Sequence, residues 1–581
     1  MRACGNDEIQ VGVLPSQEKI WHRYYDEKEL NPELSDDSMF KAICHAGYEN
    51  RTACMFYGKS FTYRKLYEGI ELVAKAFLQN GIGKGDVVML MLPTLPESLY
   101  CFYALNRIGA ISNLVDVRIA PRQLVEISHK TKPKMIFLMD FYLERADSIK
   151  DLTGIEKIVV LRGCESFPFA VSMYRFSELF NGRSRIVRRD SRYSFWQEFL
   201  RSGKDCSMPL DADVHADDIA AIYQTSGTTG FPKSAVHTNF NLNNSSTMKH
   251  FHMNEFNPGD KVLSILPLFT LFGFVFDIHM PLRYGMTLVI VPLFKKKSLA
   301  DLILRHKPNH IFSVPSQWES VVGNKRIKCD LSFIKTIFVA GEVLDKALRL
   351  NINSLLHEGG SKAEICSDYG MTEAGGTISF VNPAYTSHDA CGNGYSGIPM
   401  PLCNICIYDN EALKEMDYNR PGEICVQVPF AVKGYYNDPE ATDNLFCTHP
   451  DGSVWLHTGD IGYLTEKGHL YVIDRKKRMI VRFDGSKVFP IELESVIKEV
   501  RGVAECSVVP APDPVHLQGK VPFAFVVTEE PDIQERVEND IKRICSSRLP
   551  VYLQPYGIKF IGEIPRNSMG KADYLKLIEM I

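Results

Sequence analysis

The sequence predicts an α/β protein: a large N-terminal part built on parallel sheets, followed by a small α+β unit at the C-terminus. Three observations lead there. Between Tyr57 and about Asp140, helical and strand patterns alternate at the spacing of βαβ units. After residue 217, short buried runs recur without membrane-length apolar stretches. Beyond Asp474 the pattern changes to that of a smaller unit, with Val526 and Phe560 inside its last two strands.

Taken in order, Gly58-Lys59-Ser60-Phe61-Thr62-Tyr63 reads as a hairpin edge leading into an amphipathic helix through Leu78. Asp86 to Pro93 is a buried strand, and Ser98 to Ile108 a helix with Gly109 as its C-cap signal. Lys134 to Leu138 is the next strand. Strand, helix, strand at this spacing implies a parallel sheet with helices on its faces. From Arg162 to Asp217, mixed charges, prolines and the aromatics Tyr174, Phe176, Phe195 and Trp196 read as a connecting segment with short helices. Lys261 to Leu266, Thr287 to Val291, Ile311 to Val314 and Thr336 to Val339 read as further buried strands.

At 581 residues the chain exceeds one ordinary domain, and 45% hydrophobic with 23% charged residues supports a large core. A net charge of −4 argues against nucleic acid as the main partner. The most apolar stretch, Phe272 to Leu282, is interrupted by Asp277 and His279, so no transmembrane segment is expected. Met1 to Glu8 carries acids and no apolar core, unlike a signal peptide. Fifteen cysteines without framework spacing point to reduced thiols and a cytoplasmic location. Cys403-x-x-Cys406 lies in an alternating strand-like run with no second pair at zinc spacing, and reads as structural. Gly392 to Gly397 matches G-x-G-x-x-G literally, but Pro399 and Pro401 replace the helix that a dinucleotide site needs. Lys295-Lys296-Lys297 reads as a solvated turn.

One stretch carries chemistry on its own. Thr225-Ser226-Gly227-Thr228-Thr229-Gly230-Phe231-Pro232-Lys233 follows the buried run Ile219 to Tyr223. Glycine lets backbone N–H groups turn toward one point, hydroxyls add neutral donors, Lys233 adds a cation, and no acid intervenes. That composition suits a polyphosphate. The usual P-loop spacing is not met, because Gly227 and Gly230 are too close.

This loop resembles the phosphate loop of the adenylate-forming superfamily, which includes acyl- and aryl-CoA ligases, luciferases and peptide-synthetase adenylation domains. Further stations follow in the family's order, from near residue 40 to the C-terminus. Tyr369-Gly370-Met371-Thr372-Glu373, after the strand-like Glu364-Ile365-Cys366, resembles the second core motif. The resemblance implies that Tyr369 stacks on adenine, Thr372 meets the α-phosphate and Glu373 holds Mg²⁺. Ala340-Gly341-Glu342 is similar to the small-residue turn that passes adenine and substrate. His457-Thr458-Gly459-Asp460, expected in a turn, resembles the T-G-D motif whose aspartate accepts the ribose hydroxyls. Arg475 matches an arginine reaching the ribose and phosphates, and Lys477 the swivel position of the hinge. Pro565-Arg566-Asn567-Ser568-Met569-Gly570-Lys571 resembles the family's terminal segment, which makes Lys571 the catalytic lysine bridging carboxylate and α-phosphate.

The resemblance further implies a large domain over 1–474 that includes a smaller β-barrel-like part, and a mobile domain over 475–581. The implied reaction joins a carboxylic acid to coenzyme A through an acyl-adenylate, with ATP and Mg²⁺. A carrier protein's phosphopantetheine is the alternative acceptor, and a non-catalytic scaffold the second alternative. The chain departs from the family at Leu266-Pro267-Leu268-Phe269-Thr270, where Thr270 stands in place of a common histidine. Phe276-Asp277 falls too late, relative to Gly285, for the aspartate that binds an amino group, which disfavours an α-amino acid substrate. Thr270, Met371 and Trp318, the last in a helix expected after Ser313, are assigned to the substrate pocket. An apolar pocket with one large aromatic suits a fatty or aromatic acid. Between Asp474 and Gly485 the hinge loop is one residue longer than the family pattern, and Ser486 replaces a common aromatic.

Overall fold

The structure, a computed structural model, describes residues 13–581 apart from 148, 150, 152–153, 163–165, 167–189, 211, 226–231, 247–255, 293, 328, 343, 383–393, 485, 517–518 and 567–571. Two layered sheets dominate the N-terminal part. In the first, Tyr193–Phe195, Lys157–Leu161, Met135–Met139, Val87–Met91, Ile111–Leu114, Ile219–Thr225 and Lys233–Thr238 lie side by side in that order. All neighbours are parallel except the last pair. Val87–Met91 and Met135–Met139 are buried at every position, which is why they read as continuous apolar runs rather than alternating ones.

The second sheet has nine strands, parallel from Thr52–Phe56 through Ile365–Met371 and antiparallel at both edges. The expected hairpin is Thr52–Phe56 with Lys59–Thr62, and the helix Tyr63–Gln79 follows, capped by the Thr62 hydroxyl. Pro96–Arg107 ends near Gly109, whose φ of +73° fits the expected cap signal.

The expectation of a connecting segment between Arg162 and Asp217 needs correction where it is described. Tyr193–Phe195 is the edge strand of the first sheet, and Trp196–Lys204 is a helix folded onto it. Trp196 and Phe199 pack with Phe77 and Phe137 at ring separations of 5.1 to 6.2 Å. These aromatics are core, because four large rings can leave water together only there. Tyr174 and Phe176 lie outside the described residues.

The barrel-like part is an antiparallel sheet ordered Lys414–Glu415, Asn404–Asp409, Gly422–Gln427, Val454–Leu464 and Phe446–Thr448, with Leu470–Arg475 also paired to Val454–Leu464. The C-terminal unit has strands Val503–Pro512, Lys520–Thr528 and Gly557–Phe560, with Val526 opposite Phe560. Helices Pro490–Lys498 and Gln534–Arg548 supply Leu493, Ile497 and Ile541 to its core. Among the described residues, no helix is long and apolar enough to cross a membrane. Twelve described cysteines are free thiols, Cys403 and Cys406 among them.

Candidate active site

The described ends of the phosphate-loop stretch, Thr225 and Lys233, belong to two antiparallel strands. Ile219–Thr225 is a parallel strand, and its carboxyl end is where open α/β sheets bind ligands. The chain returns antiparallel in Lys233–Thr238, with Thr225 directly opposite Lys233. Ser226, Gly227, Thr228, Thr229 and Gly230 lie outside the described residues. Lys233 therefore begins a strand rather than ending a loop. Its ammonium stands 4.7 Å from the centroid of the Tyr435 ring, within cation–π range. Backbone bonds from Val236 to Gly434 (3.0 Å) and from Tyr436 to Ser234 (2.8 Å) fasten the Tyr435 segment alongside.

The same tyrosine reaches the metal candidate. The Tyr435 hydroxyl donates to Glu373 Oε1 at 2.8 Å, and the Val432 N–H donates to the Glu373 carbonyl at 2.9 Å. Glu373 is buried, so one oxygen is fixed by tyrosine while Oε2 remains for a hard cation. The residues present fit Mg²⁺ on that ground. The strand Ile365–Met371 runs through Tyr369, Gly370 and Met371 against Gly376–Val381. A Cβ on Gly370 would lie 2.2 Å from the Gly376 carbonyl oxygen, so only glycine permits this pairing. Thr372 follows in the tight turn that Gly375 closes by donating to the Thr372 carbonyl at 3.1 Å.

The T-G-D motif also departs from expectation. His457, Thr458, Gly459 and Asp460 lie inside the strand Val454–Leu464. Gly459 has φ +72°, and the pairings on both sides shift register here, so the strand bends without breaking. Asp460 is 2% exposed. Its Oδ2 accepts from the Tyr369 hydroxyl at 2.6 Å, and its Oδ1 meets Arg475 Nε at 2.8 Å. Burial, and then the Asp460 charge, push the Tyr369 phenol well above its ordinary range, so it stays a donor. The guanidinium of Arg475 also interacts electrostatically with Tyr369 and Glu373. Tyr369, Glu373, Asp460 and Arg475 thus form one constellation, with Lys233 joined to it through Tyr435.

The remaining assignments divide. Gly341 has φ +81° with open space where a Cβ would sit, as a surface passing a ligand requires. Glu342 accepts from the Ser316 N–H at 3.0 Å and the Ser316 hydroxyl at 3.2 Å, fastening the start of helix Pro315–Val322. Thr270 caps helix Leu271–Phe274: its hydroxyl accepts from Gly273 N–H at 3.2 Å and donates to the Pro267 carbonyl at 2.9 Å. Trp318 is 1% exposed, lies in the second core and donates to Ser313 Oγ at 2.8 Å. Its ring therefore packs in the core and its indole N–H is already partnered. Met371 is half-buried at the strand end. Asp277 is wholly buried and binds the Ile265 and Leu266 N–H groups, which removes it from ligand reach. Lys477 is exposed just past Leu470–Arg475, and Lys571 lies outside the described residues.

Sequence reasoning missed Tyr435, because Lys433-Gly434-Tyr435-Tyr436 has no chemical signature; only the strand bridge from Ala235 to Tyr435 brings it to the site. Also missed was Asp368, next to Tyr369 in the strand. Its carboxyl is raised by burial to about 7, although the Thr377 hydroxyl donates to it at 2.6 Å.

Fold and site together define a nucleotide-binding enzyme. The family model for AMP-binding enzymes matches residues 42–436, and that for the AMP-binding enzyme C-terminal domain matches 492–571. The chain belongs to the AMP-binding enzyme family, and as a member it is an acid–thiol ligase that works through an acyl-AMP. It is 30% identical over 523 residues to the 4-coumarate–CoA ligase CCL1 of Humulus lupulus, covering 88% of each chain. It is 27% identical over 539 residues to a long-chain-fatty-acid–CoA ligase of Bacillus subtilis, covering 92% of each. The fold matches that of the anthranilate CoA ligase AuaEII in complex with anthranoyl-AMP at a TM-score of 0.78, with 20% identity over 95% of this chain and 98% of that one. ATP-bound MatB from Rhodopseudomonas palustris matches at 0.77, with 22% identity over 94% and 99%.

Proposed function

We propose that this enzyme converts a fatty or aromatic carboxylic acid, ATP and coenzyme A to the acyl-CoA, AMP and pyrophosphate. The observation that carries the reading is the constellation of Tyr369, Glu373, Asp460 and Arg475, with Asp460 presenting a carboxylate already oriented by two donors. Asp460 binds the ribose hydroxyls, since a carboxylate oxygen accepts more than one hydrogen bond. Tyr369 holds the adenine side. Lys233 and the phosphate-loop stretch hold the β- and γ-phosphates, which depart together. Thr372 and Lys571 donate to the α-phosphate, where charge accumulates as the substrate carboxylate attacks. Bound at Glu373, Mg²⁺ would neutralise phosphate charge. The acyl group then passes to the coenzyme A thiol after the C-terminal unit swivels about Lys477.

Phe272, Phe276, Phe312, Phe338 and Phe380 form a run of rings 5.1 to 6.1 Å apart, starting in the helix that Thr270 caps. Four of these rings are buried core, and half-buried Phe272 is the one with surface left to favour an acid with an apolar body over acetate. The twelve free cysteines support a reducing, cytoplasmic setting. A pyrophosphate-release screen across fatty-acid lengths and aryl acids tests the substrate class, with mass spectrometry of the thioester formed on free coenzyme A. Turnover of an aryl or long-chain acid to its acyl-CoA is expected. Turnover of acetate alone, or acyl transfer only to a carrier protein, overturns the reading.

A further inference from the structure

Two strands and a hairpin of the antiparallel sheet bring together Cys425, His457 and His449, whose ligand atoms all lie within 4.8 Å of one another. We propose that they form a site for a borderline-soft divalent transition metal, zinc above all, separate from the Mg²⁺ position at Glu373.

Register builds the triad. Cys425 in Gly422–Gln427 sits directly opposite His457 in Val454–Leu464, so the two side chains leave the sheet on one face. His449 comes from the hairpin between Phe446–Thr448 and Val454–Leu464, closed by the His449 N–H bond to the Ser453 carbonyl at 2.8 Å. Tyr408 stacks on the His449 ring at 3.8 Å and holds it over the sheet. The Nε2 atoms of His449 and His457 approach to 3.0 Å. Two nitrogens on tetrahedral zinc, each about 2.05 Å from the metal, stand about 3.3 Å apart. The 3.0 Å hydrogen-bond separation of the nitrogens lies within about 0.3 Å of that for a shared cation.

The surroundings are those of a metal-binding imidazole. Glu423 Oε2 lies 3.2 Å from His457 Nδ1 and accepts from Lys476 Nζ at 2.8 Å and from Asn410 Nδ2 at 2.8 Å. That fixes the proton of His457 on Nδ1 and aims the Nε2 lone pair at His449. A carboxylate behind a ligating histidine is the common second layer of zinc sites. Cys425 is fully buried; on metal binding its Sγ–H proton leaves to solvent and the sulfur takes the metal. One thiolate and two imidazoles select zinc-like cations over Mg²⁺ or Ca²⁺, which prefer oxygen. Solvent supplies the fourth ligand.

The full-length protein, stripped with a chelator and titrated with Zn²⁺ and then Co²⁺, tests this. About one equivalent is expected to bind tightly with proton release, and Co²⁺ should give tetrahedral d–d bands with a sulfur-to-cobalt charge-transfer band. Cys425→Ser should abolish the charge-transfer band, His449→Gln should weaken binding at least 10-fold, and Glu423→Gln about 10–100-fold. Zn²⁺ should raise the melting temperature of the wild type and not that of His449→Gln, a hairpin change that leaves the sheet core intact. Absence of stoichiometric binding by the wild type, or binding and spectra unchanged in these variants, overturns the proposal.

Discussion

Asp460 and Arg475 stand directly opposite one another on adjacent antiparallel strands, and their side chains close an ion pair of 2.8 Å. The acid is buried and the base half-exposed, so the pair is anchored from below and open above. Asp460→Asn removes the pair and halves the acceptor capacity facing a ribose. Losing a hydrogen bond to a charged group costs about 1.5–3 kcal/mol. The KM for ATP should rise about 10–100-fold, with the KM for the acid little changed, in steady-state kinetics.

Tyr435 links Lys233 to Glu373 through its ring and its hydroxyl. Tyr435→Phe keeps the ring and releases the carboxylate. Half-saturation by Mg²⁺ should rise several-fold, as loss of about 1 kcal/mol implies. Tyr435→Leu, which removes both contacts, should also raise the KM for ATP; equal effects of the two variants would refute the link.

Lys571→Ala should lower acyl-adenylate formation by ~10²–10³, the usual cost of one transition-state donor. ATP affinity should stay within several-fold. Wild-type pyrophosphate exchange in this variant would remove Lys571 from the chemistry.

Asp368 titrates near 7 in the folded chain, from an ordinary value of 3.8. Between about pH 4 and pH 7 the native state keeps a proton that the unfolded chain has lost. Stability therefore falls as pH rises through that window and levels off above it. Asp368→Asn cannot ionise and still offers Thr377 an acceptor. Its urea midpoint should exceed that of the wild type at pH 8, by up to a few kcal/mol in stability, and converge with it near pH 4.

Thr270 holds the first turn of Leu271–Phe274. Thr270→Ala should cost about 1 kcal/mol of stability in urea unfolding, and Thr270→Ser much less. An equal loss in both would show that the hydroxyl is not the cap.

Much of the architecture was legible because it is local. Strands buried on both faces announce themselves as apolar runs, and helices such as Tyr63–Gln79 and Pro96–Arg107 carry their own caps and period. The glycines have backbone reasons, since Gly370 leaves no room for a Cβ and Gly459 has φ +72°, a conformation that favours glycine. The turn expectation failed at His457–Asp460, because a glycine that bends a paired strand looks in sequence like one that ends it. The packing of Trp318 was not legible either, because periodicity places a ring on a helix face without saying what that face meets.

What the sequence by itself determined is the set of chemical groups and their order along the chain: phosphate loop, Glu373, Asp460, Arg475, Lys571. Tertiary structure alone decided the partnerships. Tyr435 enters the site through a bridge to Ala235, and Cys425 meets His457 through strand register and His449 through a hairpin. The physical reason is that contacts between strands depend on pairing register, where a one-residue slip sends every side chain to the other face. Register is set by the packing of the whole sheet, and no short stretch of sequence contains it.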